Sequence, residues 1–417
     1  MKTFVGFNEA FDLTLAAVTT GETENLRLNQ LTGRILAEEI VARVDSPSIS
    51  TSRKDGYAVH SADLRLAGSR NPVELQVVGE LTAGDLSPLS LRVGSGQAVK
   101  VTTGAPLPES ADAVISEEFC QPQTGKVICY NTAKPGRNIL QQGTDVHRGE
   151  ILAQRGEKLS PALIGLMAAA GREGARVYKS PHAVVIATGD EVVVPGEPLP
   201  EGKLYASNMV EICAWLALHG LPCGIELVRD REEDIQAAII KHRPHADVFI
   251  TSGGAWGSER DLILKVVQDL NWQGIYHRVR MGPGKPVGFG LLENKPFFVL
   301  PGGPPSNEMA FLQLALPALL KIKGDHPQVF PVITARLAET VHGDRHWTDF
   351  IHARLEKKEN QLWVHPARLS SRLRSMARKE ALIIIPEGCE ELTAGEAIDV
   401  QLLIPPNQIF KRKSGTH

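Results

Sequence analysis

The chain has 417 residues, 42% of them hydrophobic and 22% charged, with a formal net charge of -3. That length exceeds what one ordinary hydrophobic core organises, so roughly three or four domains are expected. The near-neutral balance gives no electrostatic basis for binding nucleic acid or an anionic membrane, so any anionic ligand must be held by local basic groups and backbone amides.

In chain order, Phe7, Phe11, Leu15 and Val18 form one stripe, which predicts an amphipathic helix over residues 1–19. A second helix is expected over 26–40, with Leu28, Leu31, Ile35 and Ile40 on its apolar side. From about residue 73 to 130 the runs VELQVVGEL, GQAVKVTTGAPLP, ADAVISEEF and GKVICYN, separated by Gly and Pro, read as a small β domain. A small-residue helix follows at 161–170. After Ser180 the pattern alternates. Strands at 183–187, 224–228, 248–250 and 297–300 end in TGDE, RD, TSGG and PGGP, and helices are expected at 208–219, 232–242, from Arg260, and at 306–323. This alternation predicts a doubly wound, mostly parallel α/β sheet with ligands at its carboxyl edge. Beyond Gly324 the runs are strand-like again and predict a C-terminal β-barrel domain.

The fold class is therefore α/β plus β, in a multidomain chain. The boundaries expected are 20–50 with 146–180 for a linker α+β domain, and 51–145 for the small β domain. The α/β domain takes 1–19 with 181–326, and the barrel 327–410. Five cysteines with no CxxC pair argue against a disulfide framework and for a reducing compartment. Glu9 and Asp12 interrupt any secretory apolar region, and no run nears the ~20 residues of a membrane span, so a cytoplasmic location is expected.

The stretch from residue 246 to 270 places a strand, a Gly-rich turn (Ser252, Gly253, Gly254) and a helix start together. Free backbone N–H groups and the helix dipole converge at such an anion-binding corner. Ser258 and Asp261 are spaced as N-cap and N3, so Asp261 has two readings, cap closure or ligand. Turn-associated carboxylates recur at Asp55, Asp145, Glu191 and Asp230. Gathered near an anion cradle, they suit a divalent cation bridging phosphate oxygens. Gly282-Pro283-Gly284-Lys285-Pro286 fixes a loop that offers a lysine to phosphate, with Arg278 and Arg280 just before it. There is no HExxH, no G-x-S-x-G elbow and no P-loop. The basic run 368–378 with Lys379 reads as a solvated face.

Taken in order, KDGYAV, TTGAPLPESADAV, GTDV, ATGDEVVVPG, VRD, TSGG with an Asp seven residues on, GPGKP and LPGGPPS resemble the molybdopterin molybdenumtransferases, the MoeA and gephyrin E-domain family. The resemblance spans nearly the whole chain. It implies an elongated four-domain homodimer in which the α/β unit is the molybdopterin-binding domain. It also implies Mg²⁺-dependent cleavage of adenylated molybdopterin, with molybdate inserted at the dithiolene and AMP released. By motif position the family's acidic residues fall on Asp55, Asp145, Glu191, Asp230 and Asp261, and its threonine on Thr103. Its loop residues fall on Lys285, Pro301 and Pro304, and its barrel-side serine on Ser375. Asp230 and Asp261 are expected to hold the metal, with Glu191 orienting it or its water. Asp55, Asp145, Glu191 and Thr103 form the expected catalytic group, and the amides of Ser252–Gly254 would take phosphate.

The chain departs from the pattern around the ligand. Ala255-Trp256-Gly257-Ser258 replaces V-S-V-G, Lys54 replaces an apolar residue, Gly282 replaces the first lysine of K-P-G-K-P, and Gly303 replaces the asparagine of G-N-P. These positions bear on which pterin or oxyanion is used. Pterin adenylylation, a tungstate-specific paralogue and a non-catalytic scaffold of the same fold are the rival readings.

Overall fold

The computed structural model describes residues 1–85, 91–253, 262–367 and 372–403. Two compact units emerge, Asn25–Val177 and Met1–Glu24 with Tyr178–His417.

In the Asn25–Val177 unit, strands run in the order Ala113–Ser116, Gly56–Val59, Gln97–Val101, Val73–Leu81, Lys126–Cys129, Cys120–Gln123. Period-two alternation builds a core on each face of this sheet. Tyr57, Val59 and Ile115 pack with Leu75 and Val127 on one side, and Ala58, Val99 and Val114 pack with Leu81 on the other. Gly56, in the KDGYA run, has no alternative, because a Cβ there would lie 2.0 Å from the carbonyl oxygen of Ile115. The strand runs read between 73 and 130 all pair here. The helix expected over 26–40 does not form. Leu28–Gln30 is a single 3₁₀ turn, Gly33 takes φ 73°, and Ile35 and Leu36 make isolated bridges to Lys158 and Val177. Leu31, Leu36 and Ile40 are buried instead against Leu159, Met167 and Val177, so tertiary packing claims the spacing that suggested a helix. The expected helix at 161–170 is present as Pro161–Ala169, with the Ser160 hydroxyl accepting the Leu163 N–H at 3.2 Å.

In the other unit, Cys223–Val228, Ala183–Thr188, Val248–Ser252 and Lys295–Leu300 are consecutive parallel strands. Gly288–Leu292 then runs antiparallel between Lys295–Leu300 and Gln273–Gly282, a pair of strands the sequence reading did not anticipate. Lys2–Gly6 adds in parallel beside Gln273–Gly282, so the helix expected over 1–19 is a strand followed by Phe7–Ala17. Both faces are covered. Val185 and Ile250 point to Met209, Ile212 and Leu316, whereas Val184 and Phe249 point to Ile235, Ala238 and Val266. This is the doubly wound sheet expected. Cross-strand aromatic pairs lock its centre, with Phe289 stacked on Phe298 at 4.6 Å and Phe249 on Phe297 at 5.5 Å. The helix that follows Lys295–Leu300 is interrupted by a π turn, Phe311–Ala315, just before Pro317. Proline lacks the N–H that would pair the carbonyl four residues back in a regular helix.

The C-terminal strands close into a barrel. Thr348–Lys358 pairs with Gln361–Pro366 and Ala381–Ile385, and Val332–Leu337 and Ala397–Leu402 complete the ring. Its sheet continues into the α/β sheet where Met281 and Gly282 pair with Thr348 and Asp349.

A buried ionic cluster lies at the same joint. Lys379 bonds Glu308, and both are nearly inaccessible. His352 Nε2 is 3.7 Å from the other Glu308 oxygen. Burial, reinforced by Lys379, pushes this imidazole down to about 4, so at neutral pH it is uncharged and the Lys379–Glu308 pair carries the charge. Burial and the adjacent Glu308 carboxyl push Glu211 up to about 8. The Lys379 end of the run read as a solvated face is thus part of the interior. A carboxyl raised in the folded state contributes stability that is complete below its unfolded value and lost as pH rises through its folded value. His352, depressed, contributes stability that is lost only as pH falls from 6.5 towards about 4. Of these two groups only Glu211 acts between pH 6.5 and 8, so the fall in thermal melting temperature across that window should be smaller in Glu211→Gln than in the wild type. Parallel pH profiles for the two proteins would refute the assignment.

Candidate functional site: an acidic sheet edge and a basic cavity

The carboxyl ends of Ala183–Thr188, Cys223–Val228, Val248–Ser252 and Lys295–Leu300 lie along one sheet edge, because those strands are parallel neighbours. Gly253 has φ 114°, and a Cβ there would come 2.6 Å from the Thr188 carbonyl oxygen, so only glycine lets these strand ends approach so closely. Its N–H donates to the Leu300 carbonyl at 3.2 Å. Ser252 is buried here, and two side-chain amides converge on it. Asn307 donates to the Ser252 hydroxyl at 3.0 Å and to the Pro301 carbonyl at 2.7 Å. Asn208 donates to the same hydroxyl at 3.4 Å and to the Gly302 carbonyl at 2.8 Å. The PGGP loop is thereby fastened to TSGG. Neither asparagine was singled out from the sequence. Their signal was position, since each sits in the first turns of a helix that follows a ligand-type loop.

The edge is acidic. Asp230 and Glu191 are brought together, joined by Asp190, which the sequence reading passed over. Partial burial of its carboxyl, with repulsion from Glu191 and Asp190, pushes Asp230 above the ordinary carboxylate value, against a lowering contact with Thr188. A carboxyl raised by neighbouring carboxylates favours a cation beside it. Gly254 and Asp261 lie outside the described residues.

In the same unit a cavity of about 780 Å³ is walled by Arg278, Lys285, Pro301, Gly303, Ser306 and Arg372, among others. Arg372 belongs to the basic run read as a solvated face, and here it lines the cavity from the helix Arg372–Arg378. Ser375 is on that helix and Pro304 starts the helix after PGGP, but neither is in the cavity wall. Lys285 is exposed, yet its ammonium sits 4.9 Å from the Phe4 ring centre and 5.3 Å from that of Trp347. Phe4 and Arg278 lie at the same level of two neighbouring strands, and both have left-handed backbones, φ 58° and 66°. For residues with large side chains this costs about 1–3 kcal/mol each. The paired kinks turn Arg278 to the cavity and Phe4 to the lysine. Arg280 does not reach the cavity. It donates to the Phe4 carbonyl at 2.7 Å and pairs with Glu387 at 2.6 Å, bracing Phe4 against the barrel.

Two of the departures have steric readings. A Cβ at Gly282 would lie 2.4 Å from the Asp349 carboxylate, which is held by the Asp344 N–H at 3.0 Å, so a side chain there would have to displace that carboxylate. At Gly303 nothing lies within 4 Å, so the missing asparagine is not excluded by space.

In the Asn25–Val177 unit, Asp55 accepts the Thr103 N–H at 2.7 Å, so the KDGYA and TGAP runs meet. Asp145 is exposed, with its N–H bonded to the Ser46 carbonyl at 2.9 Å.

An open doubly wound sheet with an acidic carboxyl edge, a basic cavity and an attached barrel defines a protein that binds an anionic, phosphate-bearing ligand. Comparison narrows the class. Residues 5–171 match the MoeA N-terminal region (domain I and II), 184–321 the probable molybdopterin binding domain, and 334–403 the MoeA C-terminal region (domain IV). The chain is 35% identical over 305 residues to the molybdopterin molybdenumtransferase of Haemophilus influenzae, covering 73% of this chain and 74% of that one. It is 30% identical over 381 residues to molybdopterin molybdenumtransferase 2 of Mycobacterium tuberculosis, covering 89% and 93%. The crystal structure of the molybdopterin biosynthesis MoeA protein from Pyrococcus horikoshii superposes with a TM-score of 0.83 at 31% identity, over 96% of this chain and all of that one. The chain belongs to the MoeA family of molybdopterin molybdenumtransferases.

Asn307 fastens the PGGP loop to Ser252 from a nearly inaccessible position, 2% exposed. Asn307→Ala should strand the Pro301 carbonyl and cost about 1–3 kcal/mol in urea unfolding. A loss below a few tenths would mean that the network does not hold the loop.

Proposed function

We propose that the protein inserts molybdate into molybdopterin in molybdenum cofactor biosynthesis, consuming the adenylated pterin and releasing AMP. The observation that carries the reading is the acidic sheet edge and the basic cavity sharing the Pro301-Gly302-Gly303 loop within one compact unit. A phosphate-bearing pterin needs cations to hold it, and the phosphoanhydride needs its charge neutralised where it breaks. Arg278, Lys285 and Arg372 would bind the anionic ligand, and the Ser252–Gly253 amides would take a phosphate oxygen.

Mg²⁺ fits the donor set. Asp230, Asp190 and Glu191 are hard oxygen donors, and burial together with repulsion from Glu191 and Asp190 raises the Asp230 pKa. Among the described residues no three-ligand cluster is preformed; Mg²⁺ binds through one or two carboxylates and substrate phosphates. Asp230 and Asp261 would hold it, and Glu191 would orient a bound water. When bound it would neutralise phosphate charge. Asp55 and Asp145 would complete the site from the β domain of a dimer partner, with Thr103 in the same catalytic group and Ser375 beside the pterin. The four-domain division, a homodimer and a cytoplasmic location belong to the same reading. So does the use of adenylated pterin rather than ATP, which separates the reaction from pterin adenylylation. Intact carboxylates at all these positions weigh against a pure scaffold.

Lys285→Ala should raise KM for adenylated molybdopterin with kcat little changed, a loss of roughly 10-fold or more in kcat/KM, because it supplies binding common to ground and transition states. Asp230→Asn should instead lower kcat by roughly 100-fold at saturating substrate. AMP release under an Mg²⁺ titration measures both, and an unimpaired Asp230→Asn enzyme would sink the metal-site assignment.

If active sites are shared in a homodimer, mixing inactive Asp55→Ala and Asp230→Ala proteins should restore part of the activity through hybrid dimers. No recovery after confirmed subunit exchange would argue for a site complete within one chain.

A further inference from the structure

Cys120 and Cys129 are directly opposed in the antiparallel hairpin formed by Cys120–Gln123 and Lys126–Cys129. Pro122, opposite Val127, has no N–H to exchange, so that position is a non-hydrogen-bonded pair. Such pairs alternate along an antiparallel ladder, so the Cys120–Cys129 position two residues on is also non-hydrogen-bonded. The Tyr130 N–H bonding the Phe119 carbonyl at 2.9 Å agrees with that phase. At non-hydrogen-bonded positions opposing Cα atoms approach to about 4.5 Å with side chains on one face, within the range a disulfide spans. The two sulfurs are already 3.9 Å apart as reduced thiols. Cys129 is inaccessible, whereas Cys120 is only partly buried and lines a cavity of about 680 Å³ together with Tyr57, Lys100 and Lys126.

From this geometry we propose that Cys120 and Cys129 are a reversible dithiol–disulfide site that reacts with small soluble disulfides. Cys120 is the sulfur that reaches the cavity; its hydrogen bond to Cys129 and its burial push it up, so only its small deprotonated fraction attacks the disulfide, forming a mixed disulfide and releasing one small thiolate. Cys129 then attacks the Cys120 sulfur and releases the second. The protein loses two electrons and two protons, and one small disulfide becomes two small thiols. In the reduced pair the thiol–thiol hydrogen bond raises Cys120 and lowers Cys129; it is lost in the mixed disulfide, so the second step rests on the 3.9 Å proximity of the sulfurs. The hairpin edge of the small β sheet is then covalently closed, with no demand on the carboxylates or the basic cavity.

The test is incubation of the reduced full-length protein with oxidised glutathione, alkylation under non-reducing conditions and peptide mapping. The expected product is a cross-linked pair of peptides carrying Cys120 and Cys129, lighter by two hydrogens and reversed by dithiothreitol. Cys129→Ser should instead accumulate a stable glutathione adduct on Cys120. Two outcomes would overturn the proposal. One is a wild-type chain in which both thiols stay alkylatable while the urea-unfolded chain reacts. The other is a wild-type chain that stops at the Cys120 adduct.

Discussion

The site rests on the close approach of strand ends at Ser252 and Gly253. Polar groups buried there must find partners, since each left unmatched costs about 1–3 kcal/mol. Asn307 and Asn208 meet that demand from two different helices, and their second hydrogens fix the Pro301 and Gly302 carbonyls. One buried hydroxyl thereby sets the PGGP loop, which in turn supplies part of the cavity wall. The left-handed glycine beside it is a steric consequence of the same approach, because the Thr188 carbonyl occupies the space a side chain would need.

The barrel adds a second constraint. It joins the α/β sheet through the far end of Gln273–Gly282, the strand that also carries Arg278 and leads into the Lys285 loop. Any tilt of the barrel would be transmitted to both cations. Arg280 with Glu387, and Lys379 with Glu308, resist that tilt. The two pairs are not equivalent in energy. An ion pair about one third exposed is worth little by itself, whereas Lys379 and Glu308 depend strongly on each other, since removing either leaves a buried charge. Lys285 resting on two aromatic rings follows the same logic at the cavity rim, where a cation–π contact adds about 0.5–1 kcal/mol and confines a flexible side chain.

Family membership gives these features a use. On the proposed reading, the cations would hold the anionic pterin and the carboxylates a metal. The two sets approach the shared loop from different elements, the carboxylates from turns that end parallel strands and the cations from the kinked strand, its following loop and the barrel-side helix. Separate origins keep opposite charges from neutralising each other as simple ion pairs.

The sequence by itself determined the alternation of strands and helices, the strand ends that become the ligand edge, the barrel and the order of motifs that marks the family. These follow from local periodicity and turn chemistry, which a chain carries wherever it folds. It ran the first helix back over residues 2–6, which pair as a strand before the helix Phe7–Ala17, and it misread 26–40, where apolar spacing fitted a helix but burial against distant residues won. Only the tertiary structure decided that Arg372 lines a cavity, that Lys379 is buried, and that Asn208, Asn307, Phe4 and Trp347 belong to the site. Each depends on a partner far away in sequence, and no local pattern records which distant residue a side chain will meet.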